Sequence, residues 1–414
     1  MNSKKRTIHL TVLVASLGYF VDIYDLQLFN IVSKKSLTGI GITDTNLISV
    51  YDYALFLWQM GGMLVGGILW GVIGDKKGRK NILFGSILLY SLANIANAFV
   101  VNIEQYIIVR FIAGLGLAGE LGAAITLVSE VMSKEKRGYG TMIIVTMGAL
   151  GAVAVAFISW LDVSFFGLQN WQTMYLIGGG LGLLLLGLRM GTFESQMFDS
   201  VKEKAIQKGN FFMLFTNKAR FKKYLSCILI GLPVWYCVGV LVKFSEQFAT
   251  TNGVQGVVTT GFAIMFVYVG LSIGDLVSGL LSQMFASRKK VVLGYLLFTI
   301  AISITFLLSK GISSQTFYLL CFLIGCGSGY WALFVTIAAE QFGTNIRSTV
   351  TNTVPNFVRG SVIPITASFK ALEPIIGTVG SALFVGTVCI GLATWATYKI
   401  EETFGKELNY HENL

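Results

Sequence analysis

Asp22 and Asp25 stand inside a long apolar run, residues 9–33. Three positions apart on a helix, they share one face. An ionised side chain at bilayer depth costs at least about 2.5 kcal/mol, so each must meet a partner or a cavity. Two carboxylates this close readily hold a proton between them, the property a proton-coupling site needs. The alternative is a static ion pair tying two helices together. Four more ionisable residues lie within apolar stretches: Arg110, Glu120, Asp275 and Arg359. Glu120 is either a coupling group or the structural partner of a neighbouring helix. Asp275 precedes Gly279 by one turn and is either a second coupling or binding group or a helix cap. Lys243 and Glu246, near the end of an apolar run, read as interfacial residues that snorkel toward water.

The elements that must position these groups are membrane-spanning helices. Of 414 residues, 54% are hydrophobic and 13% charged, with mean hydropathy +0.71. Soluble domains carry about 25% charge. Twelve stretches reach the length of about 20 residues that a span requires: 9–33, 47–72, 82–101, 104–131, 139–160, 172–190, 224–246, 258–285, 290–309, 314–339, 349–369 and 376–399. The basic start, Met1 to Arg6, precedes a run too long and too acidic for a signal peptide, so it reads as a retained first helix. The net charge of +10 has its bases between helices, which argues against nucleic acid as partner. The five cysteines lie in apolar stretches without a C-x-x-C pair and read as core residues. His9 and His411, both near the termini, exclude a histidine relay or a histidine metal site in the membrane. No nucleophile–base set and no cofactor fingerprint is present, so neither enzyme chemistry nor a cofactor is expected.

Of the 31 Lys and Arg, 24 fall at one end of the spans, eight of them between Arg189 and Lys223. The positive-inside rule then places both termini in the cytoplasm. The only long polar interval divides the chain into a bundle over 1–190, a loop over 191–223, a bundle over 224–400 and a tail over 401–414. The halves are related. Arg79-Lys-Asn-Ile-Leu-Phe-Gly85 matches Arg288-Lys-Lys-Val-Val-Leu-Gly294 at an offset of 209, and Arg110-Phe-Ile-Ala-Gly-Leu-Gly116 matches Cys321-Phe-Leu-Ile-Gly-Cys-Gly327 at 211. At that second offset Glu120 matches Trp331, so the repeat tolerates uncharged residues at both places. Repeated six-helix units with a site between them are the logic of rocking transporters.

The hairpin Gly71-Val-Ile-Gly-Asp-Lys-Lys-Gly-Arg-Lys80 resembles the loop 2–3 signature of the major facilitator superfamily. Arg110 to Glu120 is similar to the fourth-helix R-x-x-x-G-x-G-x-x-G-E of its metabolite:proton symporters, and Val21-Asp-Ile-Tyr-Asp25 to their E-W-Y-D. Glu194-Ser195, Glu340-Gln-Phe-Gly-Thr-Asn-Ile-Arg347 and Glu402-Thr-Phe-Gly-Lys406 resemble further elements of the symporter and sugar porter branches. In the second half Gln283 stands where Asp75 stands in the first. Span 5 lacks the glycine–proline signature of drug:proton antiporters.

The resemblance implies an all-α membrane protein of twelve helices in two pseudo-symmetric bundles, working by alternating access. It implies a cytoplasmic latch of Asp75, Arg79, Glu130 and Arg137, with Arg288, Glu340 and Arg347 as its second-half counterpart. Gly71 and Gly78 permit close approach and the tight turn. It makes Asp25 the leading proton carrier, and it brings spans 1 and 4 together so that Arg110 can pair with an aspartate and later hold a substrate anion. Asn352, Asn356 and Arg359 share one face around Pro355 and read as cavity lining, with Arg359 the candidate for an anionic group. Tyr330, Trp331, Phe334, Trp235 and Tyr236 offer rings with hydrogen-bonding tips. The expected activity is proton-coupled symport of a small polar or anionic metabolite by a monomer in a bacterial inner membrane. Its partners are that small molecule, the proton and the lipid bilayer. Proton-driven efflux is the alternative in the same architecture; a non-transporting sensor or a channel would be of another class.

Overall fold

Long apolar runs fold as helices here because only a helix satisfies its own backbone polar groups within lipid. The computed structural model describes residues 3–132, 137–165, 167–193, 210–406 and 412, with backbone only for 3–11, 79–80, 129–131, 137 and 191–193. The first half comprises α1 (Ser3–Gly39), α2 (Thr45–Lys77), α3 (Arg79–Asn97), α4 (Ile103–Leu117), α5 (Glu120–Val131), α6 (Arg137–Trp160) and α7 (Asn170–Phe193). The second comprises α8 (Met213–Thr216), α9 (Lys218–Tyr236), a π-helical turn (Cys237–Val242), α10 (Ser245–Thr251), α11 (Thr260–Met284), α12 (Arg288–Leu308), α13 (Ser314–Ser328), α14 (Trp331–Gln341), α15 (Arg347–Gly360) and α16 (Val362–Lys399).

Among the described residues ten helical stretches are long and apolar enough to cross a membrane, and Asn81–Asn97 is a shorter apolar one. The longest, Arg347–Lys399, is broken at Gly377, where φ 75° and ψ 168° are not helical. These make up the twelve expected spans. The internal repeat is visible in the breaks. The fourth span is interrupted at Ala118–Gly119 and the tenth at Gly329–Tyr330, 211 residues on. Within the first half α1 lies on α6 and α2 on α4; between the halves α2 lies on α15 and α6 on α11.

Two expectations change here. The seventh span does not run on as an α-helix to residue 246. It widens into the π-turn, which ends at Lys243, whose N–H reaches Val238 O at 3.1 Å. Lys243 is therefore not a snorkelling residue: its side chain is 10% exposed and ion-pairs with Asp52 of the other half at 2.9 Å. Arg189, counted above with the central-loop bases, is buried in the first bundle.

Arg189 decides the role of Glu120. Its guanidinium is bidentate on the Glu120 carboxylate, through Nη2 to Oε1 and through Nη1 to Oε2 at 3.1 Å. It also donates to Leu83 O at 3.3 Å and Val14 O at 3.4 Å. Four helices, α1, α3, α5 and α7, are tied by one side chain. The Glu120 carboxylate faces this arginine inside its own bundle, the arrangement of the structural partner that was one of its two expected roles. A buried bidentate pair loses far more when one partner goes than when both go. Arg189→Leu should therefore lower stability by about 3–5 kcal/mol, while Arg189→Leu with Glu120→Leu recovers most of that loss. Thermal unfolding of the detergent-purified variants checks it, and an equal loss in both variants would refute the staple.

Candidate functional site

At the end carrying the basic loops the halves are shut. Ile346, which precedes α15, offers no side-chain cap, so the first N–H groups of that helix need another acceptor. Asp75 supplies it from the other half. Oδ1 accepts from Ser348 N at 3.0 Å, and Oδ2 from Thr349 N at 2.8 Å and Thr349 Oγ1 at 2.6 Å. The carboxylate also meets the positive end of the helix dipole. Gly71 makes the approach possible: a Cβ there would lie 2.9 Å from Thr349 Cα. Gly78 closes the hairpin at φ 91°.

The second-half group is also brought together. Arg288 Nη2 lies 3.4 Å from Glu340 Oε1, both 1% exposed, and Arg347 donates to Ala339 O and Phe342 O at 3.2 and 3.3 Å. Gln283 and Arg288 sit beside Gly138 of α6, where a Cβ would lie 3.1 Å from Arg288 Nη2. Glu402 caps α12 through Ser287 Oγ, Arg288 N and Lys289 N. Burial opposes its charge, but these donors and Phe404 N outweigh it and hold the carboxyl below its usual range. The side chains of Arg79, Glu130 and Arg137 lie outside the described residues.

At mid-depth Tyr19, Asp22 and Gln27 of α1 face Arg359, Trp331 and Tyr268 of the second half. Arg359 Nη2 is 3.7 Å from Asp22 Oδ2, with side chains 1% and 0% exposed. The Tyr19 hydroxyl accepts from Arg359 Nη2 and from Trp331 Nε1, each at 3.2 Å. Gln27 Nε2 donates to Tyr268 OH at 2.5 Å. The cavity bordered by Tyr19, Arg359, Trp331 and Tyr268, with Trp235 and Ile23, is about 30 Å³, the room of one water. The Asp22–Arg359 contact is an ion pair beyond hydrogen-bond length, so these charges can part far more easily than Glu120 and Arg189.

Arg110 is not where the spacing put it. Among the described residues no cation lies within 4.0 Å of Asp25, and Arg110 is no ion-pair partner of Asp22. It donates to Gln59 Oε1 and lies over the rings of Phe29 and Tyr175, 4.6 and 5.9 Å from their centroids. Asp25, fully buried, stays within electrostatic reach of Arg110 and faces Asn94.

Four expected cavity residues bond away from Arg359, and a fifth, Asn356, also accepts from Arg359 Nη1 at 3.4 Å. Tyr236 OH donates to Ala382 O at 2.8 Å and Tyr330 OH to Ile230 O at 2.9 Å, both within the second bundle. Asp275 caps α14, accepting from Ala332 N at 2.9 Å. Asn352 donates to Ser348 O at 2.8 Å, and Asn356 crosses to Ala118 O at 2.7 Å. The two asparagines do share a face, but that face meets α2 and α5 of the other half.

The opposite end is open. A cavity of about 730 Å³ is lined by Lys34, Lys35, Lys243, Lys370, Asp52 and Glu246 among others. Lys34 bridges to Glu246 at 2.8 Å. Burial disfavours the charge on Glu246, but Lys34 and the Thr260 donors outweigh it and hold the carboxyl below its usual range.

Two helical bundles meeting at a small charged centre, shut at one end and open at the other, define a multi-pass membrane transporter. The chain belongs to the Major Facilitator Superfamily, whose pattern it matches over residues 15–367. It is 28% identical to the putative niacin/nicotinamide transporter NiaP of Bacillus subtilis over 350 residues, 80% of this chain and 82% of that one. It is 25% identical to the sialic acid transporter NanX of Escherichia coli, over 90% of this chain and 89% of that one. The fold is that of the solved proton:xylose symporter XylE, with TM-score 0.74 at 16% identity over 98% of both chains.

Tyr19, Gln27, Gln59, Asp52 and Arg189 were missed in the sequence. Tyr19 carried a signal, since it precedes Asp22 by three positions on the same face. The trans cap gives a prediction. Removing a charged acceptor of this kind costs about 1.5–3 kcal/mol. Asp75→Ala should therefore raise amide exchange at Ser348 and Thr349 about ten- to a hundredfold, with a smaller rise for Asp75→Asn. Hydrogen–deuterium exchange in nanodiscs measures it; unchanged exchange there would show that α15 does not depend on this cap.

Proposed function

We propose that this protein is a proton-coupled symporter of a small organic acid. The observation that carries the reading is the Asp22–Arg359 pair, buried between the two halves at 3.7 Å without a hydrogen bond. Arg359 is the only arginine described at the central cavity, and its planar fork suits a carboxylate. Trp331, Tyr19, Trp235 and Tyr268 supply rings for the body of the substrate. The named relatives carry niacin or nicotinamide and sialic acid, which fits an acid of modest size.

In this reading a proton neutralises Asp22, and Arg359 exchanges that carboxylate for the substrate's. Asp25, one turn further along α1 toward Arg110, carries the coupled proton. Tyr19 follows Arg359 through its hydroxyl and so reports the exchange to Trp331. The halves, residues 1–190 and 224–400, then rock about this centre. The latch at Asp75 opens while the other end closes around Lys34–Glu246 and Lys243–Asp52, pairs that already cross between the halves. The basic loops and both termini face the cytoplasm of a bacterial inner membrane, the wide cavity opens outward, and the protein works as a monomer.

Uptake by proteoliposomes under an imposed inward proton gradient tests this, with nicotinate and sialic acid as the first probes. Asp25→Asn should abolish gradient-driven accumulation while substrate exchange persists. Arg359→Ala should raise KM for the acid about ten- to a hundredfold, the loss expected for a charged hydrogen bond. Accumulation by Asp25→Asn equal to that of the parent protein would remove Asp25 from coupling.

A further inference from the structure

We propose that Lys243 is the first binding site for the substrate carboxylate, at the floor of the outer cavity, and that Asp52 occupies it until the substrate arrives. The proposal rests on the organic-acid symport reading and adds an anion site to it. The cavity of about 730 Å³ has four lysines in its wall, Lys34, Lys35, Lys243 and Lys370, against two acids, Asp52 and Glu246. Each of the four is ion-paired, Lys34 with Glu246, Lys35 with Asp162, Lys243 with Asp52 and Lys370 with Glu373, and of these pairs that of Lys243 is the one sheltered from solvent on both sides. Three of the lysines are well exposed, whereas Lys243 is 10% exposed.

Lys243 is held in a built socket. It reaches from the second half into the first, where Asp52 oxygens lie 2.9 and 3.2 Å away and Asn30 Oδ1 at 3.5 Å. Phe29 and Phe56 flank it, their ring centroids 5.9 and 5.4 Å from Nζ. Phe29 bears a second cation: Arg110 lies 4.6 Å from its centroid. The Phe29 ring is therefore shared by two cations, Lys243 of the cavity wall and the buried Arg110. A carboxylate that replaces Asp52 on Lys243 exchanges like for like. The substitution costs little in charge, yet it unties α2 from the π-turn and so opens the way down. The π-turn helps, because its end at Lys243 is a register that a return to α geometry would rotate by about 100°.

A lock without an anion site would be broken equally by losing either partner. An anion site predicts opposite effects. The probes are nicotinate and its neutral isostere nicotinamide, taken up into proteoliposomes under the proton gradient. Lys243→Met should raise KM for nicotinate about tenfold, the ratio that 1.4 kcal/mol of lost charge-assisted bonding produces. Lys243→Arg should recover part of that loss. Asp52→Asn, which frees Lys243, should lower KM. Kinetics with nicotinamide should not follow the charge at residue 243. If both variants move KM the same way, or nicotinamide shifts as nicotinate does, the inference is wrong and the symport reading stands.

Should the parent protein accumulate neither nicotinate nor sialic acid, the symport reading fails, and the cavity is tested alone. A cysteine at Ser49, which lines the cavity, is labelled with sulfonate- and trimethylammonium-bearing methanethiosulfonates. The sulfonate should react several-fold faster, with Lys243→Met erasing the difference and Asp52→Asn enlarging it. Equal rates for the two reagents would overturn the anion site.

Discussion

A charge that leaves water for the interior of this bundle must be answered by another group of the protein, and the half that supplies the answer decides what the pair does. Glu120 and Arg189 both belong to the first half, bonded bidentately. Rocking of the halves does not strain them, so they can be permanent. Asp75 with the start of α15, Asp22 with Arg359, and Lys243 with Asp52 each cross between halves. Any tilt must break them, and their free energies become part of the balance between conformations.

That balance is uneven along the molecule. At the shut end Asp75 makes three hydrogen bonds to α15, and Asn356 adds one to Ala118 O. At the centre the crossing ion pair is 3.7 Å long, two contacts converge on the Tyr19 hydroxyl, and Gln27 donates to Tyr268 OH. At the open end the crossing pair Lys34–Glu246 is largely solvated, with side chains 64% and 42% exposed. Exposed pairs contribute about 0–1 kcal/mol each. Lys243–Asp52, with side chains 10% and 15% exposed, is the sheltered crossing pair there, so both ends contribute to the conformation seen. A substrate need add only modest free energy at the centre and at the open end to shift a gap of a few kcal/mol.

Much of the fold was legible because spans are long, apolar and separated by charge. The repeat was legible because two motifs recur at nearly one offset. The contact of Asp75 with a helix start was legible because Asp75, Gly71 and Gly78 form a compact hairpin. Partner choice at depth was not. Helical spacing shows which residues share a face but not which neighbour that face meets, so the bonds of Asn356 to Ala118 O as well as to Arg359 were not foreseen. Arg110 has Gln59 and two rings as near partners, a set that no spacing rule in the fourth span reveals. Arg189 looked like a loop base because it stands at the end of a span beside polar sequence. Lys243 looked interfacial because a π-turn leaves no mark in apolar periodicity.

The two halves have diverged in a direction that suits directional transport. The first half keeps Asp22, Asp25, Arg110 and the Glu120–Arg189 staple. The second replaces Arg110 and Glu120 with Cys321 and Trp331, and Asp75 with Gln283. It contributes Arg359 at mid-depth instead. A symmetric distribution would make opening at one end cost as much as at the other and would place proton and substrate groups on both sides of the centre. Here Asp22 and Asp25 lie on one rocking body and the arginine that answers Asp22 lies on the other. Neutralising that acid weakens the tie between the bodies at the place where a substrate anion can restore it. In the proposed symport, protonation of Asp22 and binding of an anion at Arg359 would act on this one interface with opposite sign, which is the minimal physical requirement for coupling the two.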